Sequence, residues 1–247
     1  MSLRSLFVGG AAVLAALLAM SSHAKDAWQP LFNGKNLDGW QHVGPGEFVI
    51  ENGVLKTQGG MGLLWYTKEK LSNSVLRVVF RVPDPAKGGN SGIFIRIPTE
   101  PTEPWMPVNK GYEVQIDPSE DDYHRTGVLY SLTKAMAKPE LKEWNTMEIT
   151  LTDDRTVVTL NGEKITDYKE GDPVPEKKVK SEPDRGRRAA AGYFGLQNHD
   201  NKDVVLERLK VYQSSTRPVL GRLSSLMTAA TRARFSADQS SSSMYPP

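Results

Sequence analysis

The sequence predicts an all-β protein built as two stacked antiparallel sheets. Three observations lead there. Nearly every segment of the body alternates apolar and polar residues, turn residues separate these runs at short spacing, and no helical stripe longer than two turns occurs. Successive side chains of a strand point to opposite faces, so period two marks strands with one buried face. Many short strands with glycine-rich turns indicate a sandwich or barrel. Several runs are long enough to curve across one another, which favours two sheets.

The elements follow in order. MSLRSL carries a basic start, FVGGAAVLAALLAM is apolar, and Ser22-His23-Ala24 is a small-x-small site. This is the layout of a secretory signal peptide over residues 1–24, cleaved after Ala24. Its apolar run is shorter than the ~20 residues of a spanning helix, so no membrane span is expected after cleavage. A periplasmic or secreted location follows.

In EFVIENGVLKT an Asn52-Gly53 pair joins two alternating runs, a strong hairpin signal. Strands are expected at SVLRVVFRV (74–82), SGIFIRI (91–97), GYEVQID (111–117), TGVLYSL (126–132), WNTMEITLT (144–152) and RTVVTL (155–160). Asn161-Gly162 then turns into EKITDY, and AAGYFGLQ (190–197) and DVVLERLKVYQ (203–213) close the domain, which spans 25–213. Two connections are long. PTEPTEPWMPVNK (98–110) is too rich in proline to be a strand, and KEGDPVPEKKVKSEPDRGRR (169–188) is too polar to be expected to pack. Residues 214–247 read as a flexible tail of low complexity.

Composition narrows the chemistry. The chain has no cysteine, which excludes thiol nucleophiles and thiolate metal sites. Its formal net charge is only +2, and no nucleic-acid footprint appears. There is no GxSxG elbow and no phosphate loop.

The side chains opposite the apolar stripes are the informative ones. In GYEVQID, Tyr112, Val114 and Ile116 share one face, and Glu113, Gln115 and Asp117 the other, ~7 Å apart along the strand. Arg96 shares a face with Phe94, and Gln197 with His199. A solvated strand face favours Thr, Lys, Glu and Ser. Phe94, Arg96, Gln115, Tyr130, Gln197 and His199, with Tyr112 nearby, are instead bulky and hydrogen-bonding or aromatic, as sugar hydroxyls and sugar C–H faces require. They point to a shared concave hollow that grips a pyranose. Trp105 sits in the loop that leads into Glu113. Glu113 and Asp117 cannot act as a glycosidase carboxylate pair on one strand, because four residues span ~13 Å against the ~5–9.5 Å such pairs need. No motif calls for a cofactor. His42, His124 and His199 have no metal-binding spacing, although two of them with Glu113 and Asp117 leave a divalent metal open.

LFNGKNLDGW (31–40), FVIENGVLKT (48–57), GNSGIFIR (89–96), GYEVQID, TGVLY (126–130), WNTMEITLTDDRTVVTLNG (144–162) and GLQNHDNKDVVLERLKV (195–211) occur in that order. Together they resemble the 3-keto-disaccharide hydrolase domain family over roughly residues 28–213. The resemblance implies a concanavalin-like jelly-roll sandwich, export, and a small carbohydrate substrate oxidised at C3. A C3 ketone acidifies the C2 hydrogen. A base removes it, the glycosidic oxygen leaves C1, and water then adds to the enone. The resemblance places the base at His199 or Glu113 and the enolate stabiliser at Arg96. Gln115, Asp117 and Gln197 orient the sugar, with Tyr130 and Trp105 as further contacts. A metal, where present, would stabilise the enolate. Two departures affect the cleft rim: Pro118 stands where a second acidic residue is usual, and 169–188 is unusually charged. The alternative reading is a carbohydrate-binding module of the cell envelope that leaves its glycan intact.

Overall fold

A computed structural model of the chain describes residues 28–199 and 205–213; the expected signal peptide and tail lie outside them. The strands are β1 (Gln29–Pro30), β2 (Trp40–Val43), β3 (Glu47–Glu51), β4 (Val54–Gln58), β5 (Gly62–Tyr66), β6 (Ser74–Arg81), β7 (Ser91–Ile97), β8 (Tyr112–Ile116), β9 (Asn145–Leu151), β10 (Arg155–Leu160), β11 (Glu163–Lys169), β12 (Tyr193–Asn198) and β13 (Val205–Gln213). One short helix, α1 (Met106–Lys110), precedes β8. All strand pairings are antiparallel. The larger sheet runs β11-β10-β9-β6-β13-β4-β3, with β1 joined to β13, and the smaller runs β2-β5-β12-β7-β8.

Alternation builds the larger sheet. In β6, Ser74, Leu76, Val78 and Phe80 are buried and their neighbours half-buried, and β9 repeats the pattern with Asn145, Met147, Ile149 and Leu151. Its hairpins close as their sequences require. Asn52 and Gly53 have φ of 52° and 81°, and Asn161 and Gly162 have 52° and 88°, the paired left-handed conformation of a tight primed turn.

The smaller sheet obeys a different rule: every residue of β5, β7 and β8 is buried. Its inner face (Leu64, Ile93, Ile95, Tyr112, Val114, Phe194, Leu196) joins the core between the sheets. Its outer face carries a second cluster of Met61, Leu63, Trp65, Phe94 and Ile97, capped by Val108 of α1. A strand covered on both faces loses its period-two signal. GLLWY of β5 is such a run and carries no alternation to read.

Two expectations need correction. TGVLYSL (126–132) is not a strand. Gly127 and Ser131 have φ of 94° and 55°, so the segment loops along the free edge of β8, joined by one bridge from Leu129 to Val114. Its backbone still bonds to β8: Gly127 N–H donates to Gln115 O at 2.9 Å and Tyr130 N–H to Glu113 O at 2.9 Å. The proline-rich connection forms no strand, as expected, and part of it is helical, with Pro107 in the first turn of α1, where its missing N–H costs nothing. And 169–188 does pack. Arg188 donates to Gly111 O, Asn109 O and Asp184 O at 2.9, 3.0 and 2.6 Å, while Glu170 and Glu182 are buried. Guanidinium forks onto backbone carbonyls hold the segment, and Val174 packs against the core between the sheets.

Candidate functional site

The hollow begins with a missing side chain. On β8, Tyr112, Val114 and Ile116 turn into the core, so Glu113 and Gln115 stand on the outer face of the smaller sheet. On the neighbouring β7, Gly92 faces Gln115 and Phe94 faces Glu113. On the far side of β7, Leu196 pairs with Ile93, which sets Gln197 beside Gly92. A Cβ at Gly92 would lie 2.6 Å from Glu113 Cγ and 2.7 Å from its Oε1. Only glycine lets the Glu113 side chain lean across β7, where it hydrogen-bonds Gln197.

Asn90, Trp105, Val108, Tyr130, Ser181 and His199 wall this floor and enclose about 170 Å³. Pockets for drug-sized ligands run to ~300–1,000 Å³, so this one suits a smaller body. Gln115 Nε2 donates to Asn90 Oδ1 at 3.3 Å. The amide oxygens of Gln115 and Gln197 are buried without a protein donor. An unmet buried acceptor costs ~1–3 kcal/mol, a cost that a ligand hydroxyl removes. Trp105 leaves 45% of its surface exposed at the mouth, an aromatic face open to stacking.

Burial dominates the electrostatics. Glu113 is pushed up to about 8 by loss of water, with a smaller push from the charge of Asp117 and an opposing hydrogen bond from Gln197. Its carboxyl is therefore neutral at pH 7 and can donate a proton or a hydrogen bond. Tyr130 is also held above the usual phenol range, first by burial and then by Glu113.

Of the residues expected in one hollow, Glu113, Gln115, Gln197, Tyr130, Trp105 and His199 are brought together. Arg96 is not. Its φ of 55° breaks the alternation of β7. Four residues of β7 (Phe94 to Ile97) oppose three of β12 (Tyr193 to Gly195), so β7 carries an extra residue at a bulge. The Arg96 side chain then runs to the β9–β10 turn instead of the hollow. It donates to Thr152 O, Arg155 O, Ala189 O and Ala190 O at 2.7, 3.1, 3.0 and 3.0 Å, and its Nε lies 3.8 Å from Glu170. Asp117 is also elsewhere, because β8 ends at Ile116. Its carboxylate accepts from Ser119 N–H at 2.8 Å and lines a separate depression with Glu120, Arg125 and Lys138.

Asn90, Val108 and Ser181 were not expected in the site. Two lie in loops and one in α1, where periodicity carries no facing information.

The histidines do not converge: His42, His124 and His199 line three different hollows. Among the described residues no three His, Asp or Glu lie close enough to hold a metal. The hollow offers one carboxyl, one imidazole and two unpartnered amide oxygens, a set that matches sugar hydroxyls better than a metal cage.

Residues 27–210 match the family described as a 3-keto-alpha-glucoside-1,2-lyase-like domain. No curated protein matches the chain. Among solved structures, a candidate glycosyl hydrolase from Parabacteroides distasonis is 24% identical with a TM-score of 0.60, over 76% of this chain and 94% of that one. A Bacillus subtilis protein with a galectin-like fold is 13% identical with a TM-score of 0.52, over 75% and 94%. The Ca2+- and mannose-bound exoplasmic/lumenal domain of VIP36 is 12% identical with a TM-score of 0.50, over 80% and 93%. These likenesses establish the galectin- and concanavalin-like jelly-roll fold. Among the described residues no helix is long and apolar enough to cross a membrane.

Proposed function

Because the chain belongs to the 3-keto-alpha-glucoside-1,2-lyase-like family, we propose that it is an exported enzyme that cleaves the glycosidic bond of 3-keto glycosides by elimination, with hydration of the enone completing a net hydrolysis. The sandwich holds the site on a sheet covered on both faces, so the floor is rigid. The observation that carries the reading is Glu113: a buried, neutral carboxyl beside two amide oxygens, over a glycine floor.

Each group has a role. His199 removes the C2 hydrogen as a proton, and the C2–H electron pair becomes the enolate. Glu113, neutral, donates to the enolate oxygen at C3. A carboxylic acid kept protonated by burial donates to an oxyanion without itself ionising. Gln115 and Gln197 accept from sugar hydroxyls, and Trp105 covers the sugar at the mouth. Expulsion of the C1 oxygen leaves an enone. Addition of water returns hydroxyl to C1 and a proton to C2.

Incubating the protein with a panel of 3-keto glucosides tests this. Catalytic release of the aglycone is expected, with the rate falling as pH rises through about 8, where Glu113 ionises. Glu113→Gln keeps a neutral donor and retains part of the rate; Glu113→Ala and His199→Ala lose ~10²–10⁴-fold. Retention of the sugar without cleavage would show a binding module instead.

A further inference from the structure

We propose that Asp121, His124, Ser131 and Tyr130 form a proton relay that carries a proton from solvent into the Glu113 hollow, where Tyr130 protonates the departing glycosidic oxygen. The inference rests on reading that hollow as catalytic.

Hydrogen-bonded contacts run from Asp121 through His124 to Ser131. Asp121 Oδ1 lies 3.0 Å from His124 Nδ1. On the other side of the ring, His124 Nε2 lies 2.9 Å from Ser131 Oγ. Ser131 is the chain neighbour of Tyr130, and its hydroxyl lies near enough to the phenol to oppose the upward push of burial. The His124 and Tyr130 rings pack at 5.2 Å between centroids. Tyr130 lines the Glu113 hollow, whereas His124 and Ser131 line a neighbouring one, so the four residues connect two cavities through the protein wall.

The backbone is bent to make this connection. Ser131 holds φ at 55°, a conformation disfavoured for a non-glycine residue. It is fixed there on both sides: its N–H donates to Tyr123 O at 2.9 Å, and its carbonyl accepts from Arg185 at 3.3 Å. An aspartate, a histidine and a serine in series also describe an activated nucleophile. Ser131 does not suit that role. Its own N–H is already committed, and its hydroxyl sits between a histidine and a tyrosine.

Proton balance follows the contacts. Tyr130 gives its phenol proton to the leaving oxygen. Ser131 passes its hydroxyl proton to the phenolate, and imidazolium Nε2 of His124 passes its proton to Ser131. His124 ends neutral, with Nδ1–H held by Asp121. Its side chain is 39% exposed and takes a new proton from water. The phenol is pushed above its usual range by burial and by Glu113, so a lasting phenolate is unfavourable and its proton has to be replaced in the same event. The facing 169–188 loop brings Glu176, Lys178, Glu182 and Arg185 to the same hollow. Glu182 is already paired with Arg185 at 2.9 Å, and the direct acidic partner of His124 is Asp121.

The test has two arms. In the first, the His124 ring is titrated by NMR in the full chain, without substrate, in wild type and in Tyr130→Phe. The relay predicts that removing the phenol hydroxyl, while keeping the ring that packs on His124, shifts the titration midpoint and the Nε2 resonance; an unchanged titration overturns it. In the second, Ser131→Gly removes the hydroxyl while placing at φ 55° the residue best suited to it. With a 3-keto glucoside that wild type cleaves, kcat falls by ~10²-fold in Ser131→Gly and in His124→Gln, while KM is retained. Added imidazole restores part of the His124→Gln rate. Wild-type kcat in both variants, or an equal loss that imidazole leaves untouched, overturns the relay. Failure of wild type on every 3-keto glucoside refutes the proposed function instead, and the titration then decides the relay by itself.

Discussion

Replacing Arg96 separates a structural role from a catalytic one. Its side chain is fully buried, and so is that of Glu170, 3.8 Å away. The guanidinium reaches five backbone carbonyls, those of Thr152, Asp153, Arg155, Ala189 and Ala190, and the Thr156 hydroxyl. Arg96→Met removes the positive charge and leaves those acceptors without it, while Glu170 keeps only Tyr112 OH at 2.8 Å and Arg188 N–H at 2.9 Å. Breaking a buried pair from one side costs about 3–5 kcal/mol. For a chain of this size each kcal/mol lowers Tm by ~2–4 °C, so a drop of ~6–20 °C is expected. Arg96→Lys falls between, because an ammonium has only three donors and no planar fork. Thermal melts followed by circular dichroism give Tm, and turnover of a 3-keto glucoside well below the melting point gives activity per folded molecule. Activity per folded molecule should hold. A variant with wild-type Tm and lost turnover would refute the structural assignment and restore Arg96 as an enolate stabiliser.

Further expectations concern the hollow. Glu113 binds a proton in the native state that the unfolded chain sheds between 4.5 and about 8, so stability is present below 4.5 and falls as pH rises through that window. The difference corresponds to at most about 5 kcal/mol, and Glu113→Gln should flatten the Tm-against-pH profile there. Gly92→Ala puts a methyl 2.6 Å from Glu113 Cγ and should displace the carboxyl, lowering kcat while far-UV circular dichroism stays unchanged. Trp105→Ala should raise KM about tenfold, a loss of ~1.4 kcal/mol, with little change in Tm because the ring is 45% exposed.

The architecture was legible wherever one strand face meets water. β6, β9 and β10 alternate in sequence as they do in burial, and both Asn-Gly turns adopt the conformation their residues favour. Legibility failed at β5 of the smaller sheet, where both faces are covered. GLLWY is apolar throughout, so it shows neither period nor boundary. TGVLYSL misled for the opposite reason. It reads as an extended run, but Gly127 and Ser131 take left-handed φ values that turn a sixth strand into an edge loop. That irregularity carries Tyr130 to the hollow and Ser131 to His124.

The same reasoning explains which site residues were found. Glu113 and Gln115 share a face by strand geometry alone, and β12 continues regularly to Asn198, which delivers Gln197. Period two holds only while every residue stays in the β region, and Arg96 leaves it. One cue was available in the run itself. Arg96 is flanked by Phe94, Ile95 and Ile97, all fully buried, so no strand face there reaches water. A charge in such a run has to find its partners inside the protein. A guanidinium with five donors finds them where backbone carbonyls converge, at the β9–β10 turn and at Ala189–Ala190. A glycine opposite the polar residues was the better pointer to the hollow. Gly92 has no cap, turn or positive φ to account for it, and its one evident consequence is the room it leaves for Glu113.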